Sequence, residues 1–242
     1  MRRFFIDAID IQESNAFLRG AEFAHMTKVL RCKPGETFVL LDNTGSEYIA
    51  VLKDILEDHA VLTIAEKRIS EAEPETQVIL YQGMPKSQKL DTIVQKAVEL
   101  GAISIVPFVS ERCVKIPKDF DKKADRLKKI ATEAVKQSRR AIVPSIGRLM
   151  DFKTLVKATS EHALALLCYE DEQKRSLKQI LSQSNAKDIA VIIGPEGGFS
   201  PEEAAALADA GAASVTLGKR ILRTETAGLA ALAQIMYEKE QV

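Results

Sequence analysis

From residue 77 onward, short apolar runs alternate with longer stretches of helical period, and that alternation leaves few folds open. Residues 77–82, 103–108, 163–168, 189–193 and 214–217 read as strands, and 89–100, 122–138, 201–210 and 225–239 as helices. Strands that return through helices lie parallel, in a sheet covered on its faces. A ligand in this fold class sits beyond the carboxyl ends of the strands. The first part of the chain reads differently. Runs 37–41 and 48–53 flank Asp42-Asn43-Thr44-Gly45-Ser46, a hairpin signal. Residues 60–66 add another alternating run, and 22–30 is the one helical pattern nearby. A small β-barrel is expected there. The polar, acidic segment Ser70-Glu71-Ala72-Glu73-Pro74-Glu75 has the composition of a linker, which divides the chain into domains over 1–72 and 73–242.

Two glycine-bearing segments carry the chemistry. In Ile193-Gly194-Pro195-Glu196-Gly197-Gly198-Phe199-Ser200-Pro201-Glu202-Glu203 a strand ends, a glycine-rich loop follows and a helix begins. Ser200 can cap that helix, Pro201 suits its first position and Glu203 completes a capping box. Three glycines in five positions let backbone come close to a ligand, but the spacing matches neither the dinucleotide fingerprint nor the P-loop. By itself the loop fits a tight strand-to-helix turn or a ligand cradle. In Leu217-Gly218-Lys219-Arg220-Ile221-Leu222-Arg223-Thr224-Glu225 the apolar pair Ile221-Leu222 needs core or the flat face of a ligand to pack on. Arg223 and Glu225 then stand at a helix N-terminus, where the dipole favours the Glu and not the Arg. Two readings stay open for Arg223: an anionic partner, or a surface pair with Glu225 or Glu196.

Net charge is zero, which alone argues against a nucleic-acid partner. Its distribution says otherwise. Between Arg112 and Arg148 twelve Lys or Arg stand against four acids, so this segment carries +8 and the remainder −8. Seen in isolation, such a run reads first as a solvated helical face. The cysteines Cys32, Cys113 and Cys168 and the histidines His25, His59 and His162 lack the spacing of a disulfide framework or a metal site, so no metal is expected. No run approaches the roughly 18 uninterrupted apolar residues of a membrane helix, and Met1-Arg2-Arg3 meets charge too soon for a signal peptide. A cytoplasmic location, without a membrane partner, is expected.

The two glycine segments together closely resemble the RsmE family, the 16S rRNA uridine N3-methyltransferases of the SPOUT superfamily. The likeness continues in Met84-Pro85-Lys86, in 91–101, in Glu133 with Gln137-Ser138-Arg139-Arg140, and in 25–31. Lys219 stands where the family often has Pro, and Ser87-Gln88 where a Gly-Asp pair is frequent. The resemblance implies an α/β protein: a small N-terminal PUA-like β-barrel that binds RNA, then a SPOUT α/β domain with a trefoil knot, assembled as a homodimer. It implies S-adenosylmethionine as methyl donor and 16S rRNA in the small ribosomal subunit as partner. Carried over by motif, the cofactor pocket comprises Leu167, Cys168, Gly194, Pro195, Glu196, Gly197, Gly198, Leu217, Gly218, Ile221 and Leu222. RNA contacts fall to His25, Arg31, Lys86, Arg112, Arg139 and Arg140. Arg223 is expected to hold the base or its developing anion, with Glu196 as proton acceptor and Glu225 its rival. Two other functions are weighed: a SPOUT methyltransferase acting on another RNA, and a non-catalytic RNA-binding ribosome-assembly protein.

Overall fold

Alternating side chains along the first strands decide how the N-terminal part is built. In a computed structural model, which describes residues 1–86, 89–114, 116–117 and 119–240, these strands are β1 (Arg2–Phe5), β2 (Ile11–Gln12), β3 (Asn15–Arg19), β4 (Thr37–Leu41), β5 (Ser46–Ile55) and β6 (His59–Ile69), with α1 (Gly20–Ala24) and a π-helical turn His25–Val29 after β3. They form one mixed sheet in the order β1-β4-β5-β6-β3-β2, with β1 parallel to β4 and every other pairing antiparallel. Phe38 and Leu40 point to a core shared with Phe4, Leu18, Met26, Leu52 and Leu62. Val39 and Leu41, one residue out of phase, point to the opposite face and pack on Ala141. The expected hairpin joins β4 to β5. Asn43 and Gly45 take positive φ in its turn, and Asp42 accepts from the Thr44 amide.

Ala141 explains a departure from the sequence-based boundary at 72/73. The chain forms two compact units, and the first comprises Met1–Glu73 together with Val135–Val143. Sequence composition put 135–143 in the second domain. Instead, Glu73 accepts from the Arg140 guanidinium at 2.9 Å and from the Ala141 and Ile142 amides, Val143 N donates to Asn43, and Lys136 pairs with Glu22. Those partners lie far apart in sequence, beyond the reach of any local pattern.

The second unit, Pro74–Ala134 and the chain from Pro144 onward, contains β7 (Gln77–Gly83), α2 (Lys89–Glu99), β8 (Ser104–Val109), most of α3 (Phe120–Ser138), β9 (Ser145–Ile146), β10 (Met150–Asp151), α4 (Phe152–Thr159), β11 (Leu164–Cys168), α5 (Leu177–Ser182), β12 (Asp188–Ile193), α6 (Pro201–Asp209), β13 (Ala213–Val215) and α7 (Thr224–Lys239). Its strands are parallel, in the order β10-β8-β7-β12-β11-β13, with β9 beside β8. The central strand β12 is apolar almost throughout because both its faces are covered. On one face Tyr81, Phe108, Leu167 and Ile192 pack with Leu155 of α4 and Leu207 of α6. On the other, α7 lies against β7 and β12 and beside α2 and α5. The short elements α4, α5, β9 and β10 have no counterpart in the sequence pattern.

Candidate functional site

In the second unit the carboxyl ends of β11, β12 and β13 and the start of α7 surround a cavity of about 910 Å³. Local chemistry sets each wall. Ser200 and Glu203 form the expected capping box, with reciprocal bonds at 3.2 and 3.1 Å, so α6 begins at a defined place after the first glycine loop. Glu203 also accepts from the Glu111 amide at 2.8 Å. Gly198 has φ +67°, and a Cβ there would stand 2.6 Å from the Glu170 carboxylate. Gly83, at the end of β7, matters for another reason. A Cβ on it would lie 2.5 Å from Pro195 N and 2.7 Å from the Gly194 carbonyl carbon, so the loop after β12 rests directly on the β7 backbone. Below the loop, Gln82 Nε2 donates to Thr224 Oγ1, which donates to the Gly194 carbonyl.

Of the eleven residues expected around a cofactor, Cys168, Gly194, Pro195, Glu196, Gly198, Leu217, Gly218, Ile221 and Leu222 line the cavity. Leu167 does not: it is fully buried in the core between sheet and helices. Gly197 is also outside the lining, its carbonyl accepting from Arg112 at 3.3 Å. Burial pushes the Cys168 thiol up to about 12, so it is protonated at neutral pH. Sequence reasoning missed Lys89, Tyr169, Glu170, Glu172, Gln173 and Thr216, all of which face the cavity. The three on 170–173 follow β11 directly, and a longer reading of that strand's exit would have reached them. For Lys89 no local signal exists.

Lys89 organises the charge. Its ammonium lies 3.1 Å from Glu196 Oε1 and 3.0 Å from Glu225 Oε2. Desolvation acts to raise the pKa of Glu196, but the Lys86 amide and the Lys89 ammonium outweigh it and hold the carboxyl below its ordinary value. Glu225 is lowered likewise: its own amide at the start of α7, then Lys89 and Arg223, overcome desolvation. Lys89 itself is raised, by Glu225 first and Glu196 second. Arg223, at the N-cap of α7, is exposed at the cavity edge and makes no side-chain hydrogen bond or ion pair within 4.0 Å among the described residues. The surface pairing of Arg223 with Glu196 or Glu225 is therefore not what the chain does.

The expected RNA contacts divide. In the second unit Lys86 and Arg112 are exposed, and in the first unit Arg31 and Arg139 are exposed while the His25 ring meets Phe4 edge to face. Arg140 is different: it is 2% exposed and bonded to Glu73, so it has no surface to offer a phosphate. The basic run is partly neutralised in this way, Arg126 pairing with Asp91 as Lys136 does with Glu22. Lys115 and Lys118 of that run, and Ser87-Gln88, lie outside the described residues. Among the described residues no three His, Cys, Asp or Glu converge as metal ligands, and no helix is long and apolar enough to cross a membrane.

Comparison with known proteins matches this architecture over its length. Residues 72–236 match a family described as an RNA methyltransferase domain, and residues 18–65 one described as an RNA methyltransferase PUA domain. The ribosomal RNA small subunit methyltransferase E of Bacillus subtilis is 32% identical over 250 aligned positions, covering 99% of this chain and 98% of its own. A crystal structure of a ribosomal RNA small subunit methyltransferase E from Neisseria gonorrhoeae bound to S-adenosylmethionine superposes with TM-score 0.85 at 32% identity, over 98% of this chain and 97% of that one. A methyltransferase structure from Legionella pneumophila, also in complex with S-adenosylmethionine, gives TM-score 0.84 at 29% identity over 97% and 96%.

Proposed function

Because the chain belongs to the ribosomal RNA small subunit methyltransferase E family, we propose that it methylates N3 of a uridine in 16S rRNA of the small ribosomal subunit, with S-adenosylmethionine as donor. The observation that carries this reading is the cavity at the strand ends, walled by two glycine loops and edged by Arg223, which makes no ion pair among the described residues. Its volume, about 910 Å³, lies within the roughly 300–1,000 Å³ of small-molecule sites. Leu217, Ile221 and Leu222 offer apolar surface for a flat ring, and Gly194 and Gly198 leave backbone as the opposing wall. The residues present fit the donor.

S-adenosylmethionine carries an already activated methyl group, so the protein's tasks are alignment and electrostatics. Arg223 meets the negative charge that develops on the uracil carbonyl oxygens as N3 loses its proton. Glu196 and Glu225 both pair with Lys89 and are ionised at neutral pH. Glu196, on the first glycine loop, is the carboxylate we assign to accept the N3 proton. Arg31, Arg139 and His25 of the first unit, and Lys86 and Arg112 of the second, are the groups we assign to the RNA.

Two structural expectations belong to the same reading. β13 lies beyond β11 at the sheet edge, yet α7 packs on β12 and β7, so the intervening loop must cross the ends of β11 and β12. This supports a trefoil knot in the second unit. The six-stranded, largely antiparallel sheet of the first unit, with the family match over 18–65, is the basis for reading a PUA-like barrel there. Tyr237 of α7 is 87% exposed beside a shallow groove of about 250 Å³ between α5 and α7, which supports a homodimer through that face. An rRNA substrate implies a cytoplasmic site of action.

The test is incubation with labelled S-adenosylmethionine and small ribosomal subunits from a strain lacking the gene, followed by digestion and mass spectrometry. 3-Methyluridine is the expected product. Methyl transfer only to another RNA would replace the substrate. Failure to bind S-adenosylmethionine would leave the non-catalytic RNA-binding reading.

A further inference from the structure

Arg223 is the N-cap residue of α7, where the helix dipole disfavours positive charge, and Lys89 lies in the first described turn of α2. Lys89 is compensated by two carboxylates, Glu196 at 3.1 Å and Glu225 at 3.0 Å. Arg223 makes no ion pair within 4.0 Å among the described residues, although Glu225 stands two residues away and senses its charge. Were Lys89 absent, Glu225 would face Arg223 as its nearest cation, at the edge of a partly desolvated cavity where such a pair forms readily.

We propose that Lys89 is a positioning residue: by holding Glu196 and Glu225 it keeps both carboxylates off Arg223 and leaves that guanidinium free for the anionic acceptor base. This rests on the methyl-transfer reading above for its consequence, but not for the geometry it asserts. Lys89 thus acts through Arg223, with no contact to substrate required. A plain staple between α2, the loop after β12 and α7 would also use these ion pairs. The two roles differ in what removal of Glu225's charge does.

Three variants, K89M, K89R and K89M/E225Q, separate the roles through four measurements: methyl-transfer rate, S-adenosylmethionine affinity, Tm, and the rate at which phenylglyoxal modifies Arg223, followed by peptide mass spectrometry. K89M is expected to lower kcat about tenfold or more, to change cofactor affinity by less than about threefold, and to slow Arg223 modification as Glu225 pairs with it. K89M/E225Q should recover both kcat and Arg223 reactivity, and K89R should keep both, because a guanidinium can bridge the same two carboxylates. Unchanged Arg223 reactivity in K89M, or a double variant no better than K89M, would overturn the proposal in favour of a staple. Should K89M not fold, K89Q carries the same comparison. The labelling readout needs no methyl transfer, so an inactive wild type would sink the enzymatic reading alone, and altered labelling would still stand for Lys89.

Discussion

Gln82 Nε2 donates to Thr224 Oγ1 at 2.8 Å, across 142 positions of sequence, and Thr224 Oγ1 donates in turn to the Gly194 carbonyl at 2.6 Å. This buried chain ties the end of β7, the first glycine loop and the start of α7 into one rigid corner of the cavity. Thr224→Val keeps the shape and removes the hydroxyl, leaving the Gly194 carbonyl without its donor and Gln82 Nε2 with only the Gly83 carbonyl, at a cost of about 1–3 kcal/mol. Urea denaturation should report that loss, cofactor titration should report weaker binding, and Thr224→Ser should restore most of both. A Val variant as stable and as tight as wild type would remove the corner's importance.

Gly83→Ala tests the close approach of β7 to the loop. The added methyl would stand 2.5 Å from Pro195 N, a backbone atom that cannot swing aside as a flexible side-chain end would. Overpacking of this kind costs about 1–3 kcal/mol. The expected outcome is a lower Tm together with a loss of S-adenosylmethionine affinity disproportionate to it. Unaltered calorimetric binding would mean that the loop can shift at no functional expense.

Arg223→Ala should raise the barrier to methyl transfer by about 2–4 kcal/mol, the scale of one preorganised charge-stabilising group. Cofactor affinity, measured separately by equilibrium binding, should change little. If the variant transfers methyl groups at the wild-type rate, another group stabilises the developing charge.

Glu47 provides a pH test in the first unit. Its side chain is 5% exposed and pairs with Arg3, 8% exposed, and with Arg68. Desolvation raises its pKa, but the Arg3 and Arg68 hydrogen bonds prevail and lower it from 4.5. A carboxyl with a lowered folded-state pKa contributes stability that is fully present above its unfolded value and is lost as pH falls through the folded one. Glu47→Gln should therefore destabilise at pH 7 by about 3 kcal/mol, because the buried Arg3 loses its counter-charge and keeps only the Arg140 carbonyl and a neutral amide. The gap between wild type and variant in urea denaturation should narrow progressively below about pH 4.5. A gap independent of pH would mean that ionisation of Glu47 contributes nothing.

Features that arise within one element or one turn were legible along the chain. Apolar period two marked β4 to β6 and the hairpin at Asn43-Gly45; strand-to-helix alternation marked the parallel sheet; Ser200-Pro201 with Glu203 marked the start of α6. Because ligands in such a sheet bind beyond strand ends, glycine loops following β12 and β13 were enough to indicate most of the cavity wall. Tertiary structure decided what depends on partners far apart in the chain. Lys89 reaches Glu196 and Glu225 across more than a hundred residues, and its capture of both leaves Arg223 without an ion pair among the described residues, an outcome that charge counting could not select. Glu73 and the β4 side chains draw 135–143 into the first unit and bury Arg140. Pattern reports which way a residue faces along its own element; which group from a distant segment meets it there is settled only when burial brings the two together and desolvation makes leaving either one unpaired costly.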